Sequence, residues 1–158
     1  MGLDMYLTGE RFLWTFPEDG PDAKLAEAIG ALFPELSTGL DPKDRMNIKT
    51  VRCELMYWRK ANAIHKWFVD NCQDGVDECN ETYVGREKLQ ELVKVCEEVL
   101  ADHSKASSLL PTQGGFFFGD TSYDDWYFKD VQATADRLKA IVENKELESW
   151  DIYYRSSW

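Results

Sequence analysis

The stretch NIKTVRCELMYWRKANAIHKWFVDN, residues 47–71, decides how the rest of the chain is read. In its first half Val51, Cys53 and Leu55 alternate with Arg52 and Glu54, the period of two that marks a half-buried strand, here from Asn47 to Met56. In its second half Tyr57, Ala61, Ile64 and Phe68 recur at helical spacing, which predicts a helix from Tyr57 to Asn71. A strand thus runs almost directly into a helix.

Toward the N-terminus, Leu3, Met5 and Leu7 alternate with Asp4 and Tyr6, so a first strand is expected over Gly2–Leu7. Phe12, Trp14 and Phe16 can form a further short strand before the turn residues of Pro17–Pro21. Asp22 then caps a helix reaching Phe33, with Leu25, Ile29 and Leu32 or Phe33 inward and Pro34 just beyond. Ser37–Met46 is rich in turn residues.

Toward the C-terminus, a polar run over Asn71–Glu81 leads to a short strand at Thr82–Val84. Gly85 serves as N-cap for the clearest amphipathic pattern in the chain, Leu89, Leu92, Val93, Cys96, Val99 and Leu100. Phe116–Phe118, flanked by glycines, reads as a buried strand or a close-packed loop. Ser122 and Asp125 give the start signal of a last helix over Tyr123–Glu143, with Tyr127, Val131, Leu138 and Ile141 or Val142 inward. Trp150, Ile152 and Tyr154 alternate with polar or exposed-type neighbours and predict a closing strand. The βα units do not alternate cleanly, so the expectation is an α+β fold. One domain over 1–158 is expected, a small mostly antiparallel or mixed sheet covered by about four helices.

A chain of 158 residues buries roughly two-thirds of its unfolded surface, enough for one core. The composition, 44% hydrophobic and 30% charged, is ordinary for a globular protein. No run approaches a membrane span and the first residues lack the pattern of a signal peptide, so the expected location is the cytoplasm. Four cysteines without dense spacing are expected to be free thiols, two of them at core-facing positions. The net charge of −11 opposes direct nucleic-acid binding and attachment to anionic membranes. The acidity lies in the second half. Between Lys43 and Lys66 the balance is +5, a basic island that is either an anion site or a partner for the molecule's own acids.

On a helix of about 100° per residue, Trp58, Asn62, His65 and Val69 share one stripe, with Arg59 and Lys66 further toward solvent. An aromatic plane, an amide and an imidazole on one edge suit a flat ligand, and Arg52, Arg59 or Lys60 are available for a phosphate. The bland alternative is that Trp58 and His65 are boundary core residues with satisfied polar tips. Metal is not expected: Cys72 and Cys79 stand too far apart for a structural zinc pair, and of the two histidines only His65 is near. No cofactor motif is present. Gly114, Gly115 and Gly119 match neither phosphate-loop pattern. Tyr153, Arg155 and Trp158 form an aromatic tail expected to dock, either within its own subunit or at an oligomer or ligand interface.

Met1–Leu7, the block YWRKANAIHKWF over 57–68, LLPTQGGFFFG over 109–119 and YYRSSW over 153–158 together resemble a family of small uncharacterised tailed-phage and prophage proteins. The resemblance spans nearly the whole chain in separated blocks. It implies a phage origin and an accessory role in the host cytoplasm, and it implies no mechanism.

Three functions follow as expectations. The first is a non-enzymatic accessory protein that sequesters an anionic nucleotide-like small molecule such as a host immune signal, and such a binder would gain from forming a homo-oligomer, because a symmetric interface can enclose the ligand. The second is an acidic inhibitor of a host defence or nucleic-acid-processing protein, with Glu87, Glu91, Glu98 and Asp102 along one helix mimicking phosphate charge. The third is an enzyme of no favoured reaction class, in which His65, Asn62 and Arg59 are the first residues to test.

Overall fold

A computed structural model describes residues 2–37, 41 and 44–158. Lys43, part of the basic island, lies outside the described residues. The fold is α+β, with a four-stranded antiparallel sheet and six helices among the described residues. By internal contacts the chain forms two compact units, residues 1–9 with 53–158, and residues 10–52.

The sheet runs in the order β2-β1-β4-β3, built from β1 (Asp4–Phe12), β2 (Thr50–Arg59), β3 (Thr82–Tyr83) and β4 (Asp151–Ser157). The expected inward residues Met5 and Leu7 of β1, and Leu3 just before it, are fully buried. Ile152, Tyr154 and Ser156 do the same for β4, and Tyr154 pairs with Thr82 of β3. In β2 the burial skips from Leu55 to Trp58, so the alternation slips by one residue between them. Cys53, expected to pack inward with Leu55, is exposed.

Against this sheet lie α3 (Asn62–Cys72), α4 (Arg86–Ala101) and α6 (Asp125–Glu143). Leu89, Leu92, Val93, Cys96 and Val99 of α4 are buried at the expected spacing, and α4 packs along α6. Burial of each such side chain contributes roughly 2 kcal/mol. Arg86, at the start of α4, donates from Nη1 to the carbonyls of Ile141 and Val142 at 3.1 and 2.9 Å, giving partners to the last turn of α6. That helix begins two residues later than Tyr123. Its N-cap is Asp124, whose carboxylate accepts the Trp126 and Tyr127 amides. A single turn, α5 (Ala106–Leu109), precedes the 110–124 loop. Within that loop Phe118 is buried while Phe116 is exposed, so the phenylalanine run is a close-packed turn and not a strand.

The unit of residues 10–52 holds α1 (Pro21–Gly30) and α2 (Pro34–Ser37). Asp22, expected as the N-cap, sits one position inside α1, buried, where it binds Arg11 and accepts the Trp14 amide at 3.1 Å. The cap is Gly20, with Pro21 as first helical residue. Leu25, Leu32 and Phe33, expected inward, are exposed. Trp14 and Phe16 are exposed as well and lie beyond the end of β1.

Candidate functional site

The central correction to the sequence reading lies at residues 57–61. Tyr57, Trp58 and Arg59 belong to β2, and the helix starts only at Asn62. Between them Lys60 turns the chain with a φ of 59°, the left-handed region that a residue with a Cβ seldom enters. Its amide still donates to Leu3 O and its carbonyl accepts the Asn62 amide, both at 2.8 Å, so the turn is fixed from both sides. Trp58 and Asn62 therefore do not share a helical stripe.

Trp58 points into the core, and its Nε1 donates to Thr134 Oγ1 of α6 at 2.8 Å. Thr134 in turn donates to the Asp130 carbonyl at 2.6 Å. Asn62 is 4% exposed and every hydrogen-bonding direction it uses is directed at the 113–120 segment. Its Nδ2 donates to the Phe118 and Asp120 carbonyls at 3.0 and 2.8 Å, and its Oδ1 accepts the Gln113 amide at 3.0 Å. The side chain is a clamp for that loop.

His65 is fully buried. Its Nε2 lies 2.9 Å from Asp77 Oδ2 and its Nδ1 lies 2.7 Å from the Tyr154 hydroxyl. An ionised carboxylate only accepts, so Nε2 carries a proton and donates it to Asp77. Burial raises the Tyr154 phenol well above its ordinary range, so its O–H is present and shares a hydrogen bond with Nδ1. The other oxygen of Asp77 accepts from Trp158 Nε1 at 3.1 Å. His65 thus ties α3, the 74–81 loop and the tail together.

What is open is a cleft of about 730 Å³ beside the β2–α3 junction. Its lining includes Tyr57, Trp58, Arg59, Lys60, Asn62 and Ile64 on one side, and Asp120, Asp124, Trp126, Tyr127, Asp130 and Val131 on the other. Arg59 and Lys60 form no ion pair and no side-chain hydrogen bond among the described residues. Their carboxylate neighbours differ sharply. Asp120 accepts both the amide and the hydroxyl of Ser122, which hold its carboxyl below the usual range. Asp124 is the α6 cap. Asp130 accepts no side-chain hydrogen bond among the described residues, and burial together with the nearby Asp124 charge pushes its carboxyl up to about 6. Lys129 covers one face of the exposed Trp126 ring at 4.5 Å.

Of the residues singled out from sequence, the cleft unites Trp58, Arg59, Lys60 and Asn62. His65 is not in the lining. Arg52 belongs to the unit of residues 10–52, where it lies 3.9 Å from Glu10. Tyr153 stands opposite Tyr83 in the sheet register, and Arg155 is exposed. Trp158 docks on its own chain, through Asp77 and an edge contact with Phe118. On α4 the acids of the proposed mimicry row are exposed, with Glu91 taken by Lys88 at 2.8 Å. Sequence reasoning missed Asp130, although a signal existed. It stands three residues after Tyr127 and four before Thr134, both buried, so it is a carboxylate on the inward edge of an amphipathic helix.

No group of three or more metal-ligating side chains occurs among the described residues, and no helix among them is long and apolar enough to cross a membrane. Comparison with protein-family models, curated proteins and solved structures finds no match.

Proposed function

We propose that this cleft binds a small, flat, negatively charged molecule of the nucleotide class, and that the protein is a non-enzymatic binder, a sequestering accessory protein of a phage or prophage. One observation carries the reading. Arg59 and Lys60, without an ion pair or side-chain hydrogen bond among the described residues, line a cleft together with Tyr57, Trp58, Trp126 and Tyr127. A guanidinium and an ammonium side by side suit phosphate oxygens, and an aromatic surface suits a base. The volume fits a mononucleotide-sized ligand. Lys60 is also held in an unfavoured backbone conformation, and such strain concentrates at ligand-binding positions.

The reading favours binding over catalysis because the one histidine near the cleft in sequence, His65, has both ring nitrogens engaged away from it. No thiol or histidine lines the opening. Calorimetric titration with nucleoside monophosphates, cyclic nucleotides and ADP-ribose tests the proposal. Saturable binding is expected for at least one of them, weakened about tenfold by Arg59→Ala, the loss of one charge-assisted contact. Absence of heat with every member at millimolar concentration would remove it.

A further inference from the structure

Resting on that reading, we infer that the cleft selects a ligand whose flat ring presents two adjacent N–H donors, the guanine edge, with Asp130 as the residue that reads it. The carboxylates lining the cleft are not equivalent. Asp120 already accepts from Ser122 and Asp124 from the α6 amides, whereas the Asp130 side chain has no protein donor among the described residues. A half-buried carboxylate without a partner is destabilising, and a ligand that supplies donors removes that cost.

The chemistry of the donor pair follows from the side-chain inventory. An ionised carboxylate accepts at both oxygens and donates nothing, so it matches a guanine ring nitrogen N–H beside an exocyclic amine. Adenine presents one donor beside one acceptor, and its acceptor would face a lone pair of Asp130. Protonated, the same carboxyl donates from one oxygen and accepts at the other, which matches adenine. The phosphate end is assigned to Arg59 and Lys60, which line the same cleft from the β2–α3 junction. Discrimination therefore depends on the charge state of Asp130. The charged or titratable groups sharing the cleft with it are Asp124 and Tyr127 on its own side, Asp120 on the loop, and Tyr57, Arg59 and Lys60 from the β2 end. With the Asp130 carboxyl raised to about 6, the preference for guanine belongs to pH 7.5 and fades by pH 5.

The test is calorimetric titration of the full chain with GMP, AMP and IMP at pH 7.5 and pH 5. IMP keeps the ring N–H and lacks the exocyclic amine. At pH 7.5 GMP is expected to bind at least tenfold more tightly than AMP, with IMP between them, and the ratio is expected to shrink at pH 5. Asp130→Asn should retain AMP binding and lose the preference. Equal affinity for GMP and AMP, or an Asp130→Asn protein that keeps the preference, would overturn the guanine assignment and leave the nucleotide reading standing. Failure of all three to bind the unaltered protein would overturn both. Should Asp130→Asn not fold, the GMP-to-IMP ratio alone decides, since equal affinities deny the paired-donor contact.

Discussion

At the scale of single residues, Asn62 and Asp130 make opposite contributions, one fully satisfied and one left without a partner. Replacing Asn62 by Ala orphans one amide and two carbonyls of the 113–120 segment. We expect a loss of about 2 kcal/mol in denaturant unfolding, the cost of leaving buried polar groups unpaired. Asn62→Asp should cost more than Asn62→Ala, because a carboxylate would face two carbonyl oxygens that need donors. If Asp were tolerated better than Ala, the assigned orientation of the amide would be wrong. Asp130 works the other way. Its folded carboxyl sits near 6, above the ordinary 3.8, so the folded state binds its proton more tightly than the unfolded chain. Stability contributed by this group therefore falls as pH rises from about 4 to about 6. Asp130→Asn is expected to be more stable than the parent by on the order of 1 kcal/mol above that window, discounting for the solvent that still reaches the side chain. Below pH 4 the difference should vanish. A variant that gains stability while losing its ligand preference is what a binding residue, as opposed to a structural one, produces.

Among the elements, α3 and β4 are held to each other by the His65–Tyr154 bond and by the stack of Phe68 on Tyr154, with ring centroids 4.0 Å apart. Tyr154→Phe keeps the stack and leaves His65 Nδ1 without its partner, so we expect a loss of about 1–3 kcal/mol. Removing Asp77 acts at a different point, because it frees both His65 Nε2 and the Trp158 indole. In a double-mutant cycle the two changes should couple, since they share His65, and strict additivity would contradict the shared network.

How much of this was legible in the sequence depended on whether an element obeys one period throughout. The β1 and β4 alternations and the α4 stripe survived intact because Leu3–Leu7, Ile152–Tyr154 and Leu89–Val99 each bury one regular face. The β2–α3 junction did not, because Ala61, Ile64 and Phe68 make a true helical face that Tyr57 joins only by spacing. Tyr57 is in fact exposed on the sheet, its hydroxyl on Asp4 and its ring near Tyr6. Nothing in the residue type announced a left-handed Lys60, where glycine would be the usual signal. The cleft itself was half legible: the β2 side stood out by its charges and aromatics, whereas the α6 side depends on tertiary packing. In the unit of residues 10–52, apolar spacing over Leu25–Phe33 suggested an inward face, and those side chains are exposed instead.

For the molecule as a whole, thiol chemistry reports on how the core is closed. Cys96 is buried and its thiol pushed up to about 12, with Cys72 up to about 11, both by desolvation, so neither forms thiolate near neutral pH. Cys53 is exposed. We expect alkylation at pH 8 to modify Cys53 first, and Cys96 only under conditions that unfold the protein, as read by peptide mass mapping. Rapid labelling of Cys96 in the native state would deny the α4–α6 packing. The acidic net charge of −11 opposes anions at long range, so nucleotide capture must depend on short-range contacts inside the cleft.

The amide NMR spectrum of the labelled protein, recorded with and without saturating GMP, places any bound ligand most directly. Shifts are expected to cluster on the cleft lining at residues 56–64 and at Gly119, Asp120, Trp126, Tyr127, Asp130 and Val131, with the His65 and Tyr154 amides less affected. An unchanged spectrum, or shifts centred elsewhere, would contradict a ligand site at the β2–α3 junction.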